Sequence, residues 1–400
     1  MVGGGGGLPS EAGRAGGAFA ALAEELKVRF RQGVGRPLSD ADFDALACRA
    51  FEIQFDASPA YRAFCRGRGV DPGAVVTWEE IPAVPAEAFK RLDLVAGAPR
   101  DAERVFVTSG TTSSSGIRGR HFVLDLDLYR ASLLPNFRAH VLPDVERPPL
   151  LSLIPAPAEA PTSSLSFMIG TVAEELAGPA AWLVDGRGRL DVKGFRAAAA
   201  EYGGAAGALL VTGTAFSFVH LIDALRAEGC GAALPAGSRI METGGFKGRA
   251  RSVPREALYG AIEELLGVPR HHVVNEYGMT ELLSQLYEPV LTRRDRADAR
   301  PGPDEEVEAV AGRGVHVPPP WLRVRALDPV TLDPLEEGRE GLLCFFDLAN
   351  AGSVCHVLTE DLGAVTSEGV RLRGRVPAAE PRGCSRAMDE IMSAAEGRGG

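Results

Sequence analysis

Apolar and polar positions alternate with a helical period in the first part of the chain. Residues 18–32 place apolar side chains at spacings of three and four, which predicts an amphipathic helix. A second helix is predicted to begin at Ser39, because Asp42 follows three residues later as in a capping box. A third helical piece holds Tyr61 and Phe64, and a proline-containing connector follows it.

Beyond residue 100, short apolar runs alternate with longer helical patterns. Strands are predicted at 105–107, 122–124, 150–154, 181–184, 209–211, 238–242, 273–277 and 341–346. Helices are predicted at 127–141, broken at Pro135, and at 166–176, 192–202, 216–228 and 256–266. Such alternation indicates an α/β fold with a mostly parallel sheet and helices on its faces.

The same patterns suggest how the chain is divided. We expect a disordered tail over 1–17, an N-terminal helical segment over 18–100, a core over 101–375 and a short C-terminal tail over 376–400. Three predicted strands end in hydroxyl residues, at Thr108, Thr212 and Thr243, which favours one shared ligand crevice at their carboxyl ends. His271 and His272 are adjacent on a predicted strand, so they point to opposite faces and make a poor metal pair.

Composition narrows the class of protein. Apolar residues make up 45% and charged residues 24%, a globular balance, and the net charge of −10 argues against a nucleic-acid partner. The six cysteines include no C-x-x-C pair, which argues against a disulfide scaffold or a zinc ribbon. Cys355-His356 beside Cys344 is a weak metal candidate. We find no transmembrane run and no signal-peptide core, and we expect a cytoplasmic protein.

The stretch from Thr108 to Ser115 consists only of Thr, Ser and Gly, and Arg118 and Arg120 follow it. Backbone N–H groups, hydroxyls and nearby guanidinium groups suit an anion with many oxygens, such as a triphosphate. A surface linker is the alternative. A Walker loop is excluded, because none of the four lysines follows a glycine, and the G-x-G-x-x-G spacing is also missing.

The segment Thr108-Ser109-Gly110-Thr111-Thr112 resembles the phosphate loop of the adenylate-forming superfamily, the relatives of acyl-CoA synthetases and luciferases. More narrowly, residues 40–392 resemble the acyl-protein synthetases of bacterial bioluminescence, the long-chain-fatty-acid–protein ligases, most specifically at NEYGMTELLSQLY, residues 275–287. The superfamily loop continues Gly-x-Pro-Lys, which this chain lacks, so any role of that lysine would pass to Arg118 or Arg120.

The resemblance implies ATP and Mg²⁺ as cofactors and assigns roles to individual residues. The loop residues Thr108, Ser109, Gly110, Thr111 and Thr112 would hold phosphate. Gly244 and Gly245, with Tyr277 and Gly278, would lie against the adenine. Thr280 would contact the α-phosphate, Glu281 would hold Mg²⁺, Asp361 would bind the ribose, and Gly374-Arg375 would form a hinge. Lys247 is either part of the site or a solvated charge. Phe167 and Met168 line either the acyl pocket or the core.

The C-terminal end departs from the acyl-CoA synthetases. Only residues 375–400 follow Gly374, and no lysine follows Lys247, so the small domain of the superfamily is absent, reduced to a stub or supplied by another chain. By resemblance, Cys384 is the acyl carrier. We expect Arg382 and Arg386 to lower the pKa of its thiol. Cys355 is the rival carrier.

Three functions remain open from the sequence. The first is an ATP-dependent acid–protein ligase that forms acyl-AMP, transfers the acyl group to Cys384 and passes it to a reductase or carrier protein. The second is an adenylating ligase that uses CoA or a carrier protein as the acceptor. The third is a non-catalytic relative that binds nucleotide or acyl-AMP. Neither the chain length nor the class of the acid follows from the sequence.

Overall fold

The structure is a computed structural model. It describes residues 11–108, 117–244, 253–293, 313–375 and 382–397. Three helices open the described chain: α1 (Glu11–Arg31), α2 (Asp40–Ala57) and α3 (Pro59–Gly67). Because α1 begins at Glu11, residues 11–17 are helical and the prediction of a disordered tail is wrong for them. The predicted cap is present, since Ser39 Oγ accepts a hydrogen bond from Asp42 N at 3.1 Å.

A six-stranded sheet forms the centre of the fold, with the order β5-β4-β6-β7-β8-β9. Its strands are β4 (Leu150–Leu153), β5 (Ala180–Trp182), β6 (Leu210–Thr214), β7 (Arg239–Thr243), β8 (Val273–Tyr277) and β9 (Leu286–Tyr287). All neighbours are parallel except β8 and β9. The α/β prediction with a mostly parallel sheet is confirmed for this sheet.

Helices cover both faces of the six-stranded sheet. One face packs on α4 (Leu126–Val141) and α5 (Ser164–Glu175). The other packs on α6 (Val192–Ala206), α7 (Ala215–Ala227) and α8 (Arg255–Leu266). Helix α4 runs unbroken through Pro135, contrary to the predicted break. Buried side chains on both sides of the proline hold α4 to the core, which offsets the hydrogen bond that proline cannot donate.

A second sheet of five strands lies beside the first. Its strands are β1 (Val84–Pro85), β10 (Leu322–Leu327), β11 (Glu340–Asp347), β12 (His356–Thr366) and β13 (Gly369–Arg375). Only the β1–β12 pair is parallel. Since β1 comes from the N-terminal segment, that segment contributes a strand to the core.

A separate two-stranded sheet pairs β2 (Arg104–Val107) with β3 (Arg120–Val123). Thr108 follows β2, so it does not end a strand of the six-stranded sheet. Thr212 is fully buried inside β6, two residues before that strand ends. The three predicted strand ends therefore do not belong to one sheet, and the shared crevice stays a prediction. His271 and His272 lie in a 3₁₀ turn, not on a strand.

The C-terminal segment contains helix α9 (Arg382–Ala395). Its buried face carries Cys384, Ala387 and Ile391 at helical spacing. Arg68, the residue just after α3, forms an ion pair with Glu390 of α9 at 2.6 Å. Among the described helices, none is both long and apolar enough to cross a membrane.

Candidate active site

The strand ends of β7 and β8 present polar side chains to one region. Thr243 ends β7, and its hydroxyl donates a hydrogen bond to the carboxylate of Glu276 on β8. Gly244 follows with a φ of +74°, a left-handed conformation that favours glycine. Gly278 follows β8, where an added Cβ would lie 2.4 Å from Glu276 Oε1. At both strand ends, a glycine therefore leaves the main chain without a covering side chain.

Tyr277 and Arg375 meet at Asp361. The Tyr277 hydroxyl donates to Asp361 Oδ2 at 2.7 Å, and Arg375 Nε donates to Asp361 Oδ1 at 2.8 Å. Burial raises the pKa of Tyr277 well above its usual value, and the neighbouring Asp361 carboxylate raises it further, so the phenol keeps its proton. Each carboxylate oxygen has a second lone pair, which leaves Asp361 able to accept two more hydrogen bonds.

The Tyr277 ring is also fixed in orientation. It stacks on Phe345 of β11 with ring centroids 5.6 Å apart and an interplanar angle of 24°. The ring of Tyr277 therefore packs on the five-stranded sheet, although Tyr277 itself belongs to a strand of the six-stranded sheet. The cluster of Tyr277, Asp361 and Arg375 joins the two sheets at the candidate site.

Thr280 and Glu281 lie in an irregular turn just after β8. His121 Nδ1 lies 2.7 Å from the carbonyl oxygen of Thr280, and Asn350 Nδ2 donates to the carbonyl oxygen of Glu281 at 2.7 Å. Glu281 is 9% exposed. Thr280 and Glu281 thus lie just beyond the end of a strand, as predicted. The roles of their side chains stay predictions.

The β2–β3 hairpin carries the base of the predicted phosphate loop. Gly119 N donates to Thr108 Oγ1 at 2.8 Å, and Thr108 N donates to Gly119 O at 3.0 Å. His121, two residues beyond Gly119, reaches Thr280. The hairpin therefore brings Thr108 towards the Thr280 turn.

Several expected site residues lie outside the described part of the chain: Ser109, Gly110, Thr111, Thr112, Gly245 and Lys247. Of the two arginines that follow the loop, Arg118 donates through Nε to Thr108 O at 2.5 Å, so it lies at the loop base. Arg120 forms an ion pair with Asp93 at 2.5 Å. Arg118 therefore contacts the base of the loop, whereas Arg120 is paired with Asp93.

Cys384 is buried in a small apolar cluster. It packs with Ala83, Leu327, Leu342, Cys344 and Leu358. Burial raises the pKa of its thiol to about 12, and the carboxylate of Glu360 contributes in the same direction. The expectation that neighbouring arginines lower this pKa is wrong, because desolvation dominates and Arg386 is exposed, reaching the carbonyl oxygen of Thr331 instead.

Cys384 and Tyr277 lie on opposite faces of the five-stranded sheet. Cys384 packs against Cys344, whereas Tyr277 stacks on Phe345. Cys344 and Phe345 are successive residues of β11, so their side chains point to opposite faces. The candidate acyl carrier is therefore separated from the Tyr277–Asp361–Arg375 cluster by the sheet itself.

The rival carrier, Cys355, is fully buried, and its sulfur lies 3.1 Å from Gln54 Nε2. Burial raises the pKa of its thiol far above the usual value. Within the described ranges, no three His, Cys, Asp or Glu side chains are grouped as a metal site, and the Cys355-His356 candidate is not supported. Phe167 and Met168 are both buried, and Phe167 stacks on Tyr129 at 5.4 Å, which is a core arrangement.

Comparison with known proteins identifies the family. A family model described as acyl-protein synthetase, LuxE, matches residues 40–393, which is most of the chain. The chain belongs to this family. Two long-chain-fatty-acid–luciferin-component ligases are among its relatives. That of Aliivibrio fischeri is 24% identical over 80% of this chain and 79% of its own length. That of Vibrio harveyi is 35% identical over 19% of this chain, and the match spans only 22% of that enzyme.

This member of the acyl-protein synthetase family shares its fold with a solved CoA ligase. A 2-hydroxyisobutyryl-CoA ligase structure, solved with 2-HIB-AMP and CoA, has a TM-score of 0.56 and 15% identity. The match covers 86% of this chain and 77% of that chain. Membership of this family favours the first of the three functions that the sequence left open, the acid–protein ligase.

Sequence reasoning missed three residues that contact the Thr280–Glu281 turn in this acyl-protein synthetase: His121, Asp347 and Asn350. Each lies more than 60 residues away from the turn in the chain. No spacing within one segment carries such a signal, since the contacts depend on how three sheets meet.

Proposed function

We propose that this protein uses ATP to activate a carboxylic acid as acyl-AMP and then transfers the acyl group to the thiol of Cys384. The observation that carries the proposal is the meeting of Tyr277, Asp361 and Arg375 beside the Thr280–Glu281 turn. The names of the relatives favour a fatty acid as the substrate. A reductase or carrier protein as the final acceptor, and a cytoplasmic location, are parts of the same proposal.

Asp361 fits the ribose of ATP. Its two oxygens already accept hydrogen bonds from Tyr277 and Arg375, and these bonds fix the carboxylate in orientation. The remaining lone pairs suit two adjacent hydroxyl donors. The stacked ring of Tyr277 and the backbone at Gly244 suit the flat face of an adenine. Roles for the loop residues Ser109 to Thr112 and for Gly245 rest on the resemblance alone.

Thr280, Glu281 and the loop base at Thr108 suit the phosphates. The groups present are the hydroxyl of Thr280, the carboxylate of Glu281 and, at the loop base, the guanidinium of Arg118. Glu281 is the residue that would hold Mg²⁺, which prefers carboxylate oxygens and would supply positive charge beside the phosphates. Positioning and electrostatic stabilisation account for most of such a reaction.

The first step forms a bond between a carboxylate oxygen of the acid and the α-phosphorus of ATP. The bond from the α-phosphorus to the bridging oxygen breaks, and pyrophosphate leaves. In the second step, the sulfur of Cys384 attacks the acyl carbonyl carbon, and the bond to AMP breaks. The thiol must first lose its proton, and its present pKa of about 12 opposes this.

Cys384 must therefore leave the apolar cluster before it can react. In the described arrangement it faces away from the nucleotide side of the five-stranded sheet. Separation of α9 from α3 and β1 would bring the thiol into water, where desolvation no longer raises its pKa. The same burial favours one alternative function, in which CoA or a carrier protein supplies the thiol and Cys384 stays in place.

The experiment that separates these functions uses a radiolabelled acid with ATP and Mg²⁺. We expect label to remain on the denatured wild type and to be released by neutral hydroxylamine, as a thioester is. Cys384→Ser should still exchange pyrophosphate into ATP but retain no label. Cys355→Ser is the matched control and should behave as the wild type. Pyrophosphate exchange without any retained label would favour the diffusible acceptor.

A further inference from the structure

The turn that carries Thr280 and Glu281 has no regular secondary structure of its own. Residues 278–285 connect β8 to β9 without helical or strand pairing. Buried backbone groups of such a segment need hydrogen-bond partners from elsewhere. Side chains from β3, from the end of β11 and from the 3₁₀ turn that follows β11 supply them.

His121 of β3 holds the first carbonyl group. Its Nδ1 lies 2.7 Å from Thr280 O. Because a carbonyl oxygen only accepts, Nδ1 carries the proton and the imidazole is the Nδ1–H tautomer. The ring is 1% exposed, and Phe89 packs against it edge to face at 5.6 Å, so its orientation is fixed.

Asn350 holds the next carbonyl group. Its Nδ2 donates to Glu281 O at 2.7 Å and to Val354 O at 3.2 Å. The main chain of Asn350 is held in turn by Gln54, whose Nε2 donates to Asn350 O at 3.2 Å. Asn350 and His121 border the same narrow cavity, so these two side chains lie close to each other.

Asp347, at the end of β11, holds the second half of the turn. Its Oδ2 accepts from the amides of Leu283 at 3.0 Å and Ser284 at 2.9 Å. Its Oδ1 accepts from Ser284 Oγ at 2.7 Å and from Ala349 N at 3.0 Å. Four hydrogen bonds satisfy this fully buried carboxylate and tie the turn to the segment that carries Asn350.

We propose that His121, Asn350 and Asp347 are positioning residues that fix the main chain of residues 280–284, so that the Thr280 and Glu281 side chains are presented in a preorganised geometry. This inference rests on the proposed function of those two side chains. The three residues bond to the turn almost entirely through its main chain, so they set its path without occupying the place of a ligand. Preorganised groups need no rearrangement as the reaction proceeds.

The test compares His121→Asn with His121→Leu. An asparagine amide can place its nitrogen near the position of Nδ1 and still donate to Thr280 O, whereas leucine cannot. Asn350→Ala removes the donor to Glu281 O. The control is Ser353→Ala, which removes a buried hydrogen bond of 2.6 Å to Leu94 O close to Asn350 but outside the turn.

Two measurements are made on the full-length protein. Hydrogen exchange at the amides of residues 280–284 reports on the turn without any substrate. Pyrophosphate exchange, with kcat and the KM for ATP separated, reports on the proposed site. We expect His121→Leu and Asn350→Ala to lose protection in this turn and to lose about 10–100-fold in kcat, with KM changed less. His121→Asn and Ser353→Ala should stay near the wild type.

Two outcomes would overturn the inference while leaving the proposed function intact. One is an active wild type in which His121→Leu and Asn350→Ala keep both their protection and their kcat. The other is a loss of kcat that Ser353→Ala shares equally, since that would reflect general destabilisation. A wild type without pyrophosphate exchange would instead overturn the proposed function, and the inference with it.

Discussion

Asp361 and Tyr277 lie 84 residues apart in the chain, and a hydrogen bond of 2.7 Å joins them. Tyr277 ends the fifth strand of one sheet, and Asp361 lies in the long strand of the other. This bond places a carboxylate at the point where both sheets meet. Because Arg375 completes the cluster, the end of the last strand is tied to the same point.

Asp361→Asn should weaken the binding of ATP through its ribose. Loss of the carboxylate charge weakens each hydrogen bond that it would accept, and hydrogen bonds to charged groups contribute about 1.5–3 kcal/mol each. We expect the KM for ATP to rise by about 10-fold or more. Comparing ATP with 2′,3′-dideoxy-ATP provides the control. If the variant discriminates between them as strongly as the wild type, Asp361 does not bind the ribose.

Glu281→Gln should abolish most Mg²⁺-dependent pyrophosphate exchange while leaving the fold intact. The substitution keeps the shape of the side chain and removes its charge, and losing one electrostatic contact to a transition state costs about 10²–10³-fold in rate. Glu360→Gln is the control, because Glu360 is an exposed carboxylate on β12. Activity near that of the wild type across a range of Mg²⁺ concentrations would contradict the metal-binding role.

Gly383→Ala should make Cys384 more accessible. A Cβ at residue 383 would lie 2.7 Å from Leu332 Cδ2 and 2.9 Å from Pro329 O, so the first turn of α9 would move away. We expect faster alkylation of Cys384 by a thiol reagent under native conditions. Gly17→Ala in α1 is the matched control, since nothing lies within 4 Å of the added Cβ. Equal alkylation rates in both variants would show that docking of α9 does not shield the thiol.

Glu242→Gln should change how stability depends on pH. Burial raises the pKa of Glu242 to about 7 in the folded protein, above the 4.5 of an ordinary glutamate, and the nearby Arg255 guanidinium only partly opposes this. The folded state therefore binds the proton more tightly. The stability that this group contributes is present below about pH 4.5 and is lost as the pH rises to about 7.

The variant cannot titrate at residue 242, so it should gain about 2–4 kcal/mol relative to the wild type between pH 4.5 and pH 8. Denaturant unfolding at both pH values measures this difference. Glu159→Gln, at an exposed glutamate, is the control and should follow the wild type at both values. A pH-independent difference would show that Glu242 does not titrate in this range.

Local features of the fold could be predicted because local chemistry determines them. The cap at Ser39 and the strand that runs to Tyr277 both follow from residue types within a few positions. The unbroken α4 could not be predicted in this way, since its packing offsets the effect of Pro135. The positions of Thr280 and Glu281 beyond a strand end were correct for the same local reason.

The pKa of the Cys384 thiol could not be predicted from the residues near it in the chain. Two nearby arginines suggested a stabilised thiolate, but the pKa of a thiol also depends on desolvation. Desolvation follows from the packing of α9 on β11 and β12, which joins residues far apart in the chain. The contacts of His121 and Asn350 with the turn could not be predicted either, because they also join residues far apart in the chain.

If Cys384 carries the acyl group, as we propose, the close packing around this residue couples the position of α9 to acylation. The thiol is surrounded by apolar side chains, and Gly383 already touches its neighbours so closely that a single methyl group would not fit. An acyl chain bonded to that sulfur cannot enter this packed cluster unless α9 or the surrounding side chains move. If Cys384 is the acyl carrier, as we propose, the docked position of α9 is compatible only with the free thiol, and acylated protein must have α9 undocked. A downstream enzyme that recognised the undocked helix would bind the acylated protein and not the protein with a free thiol.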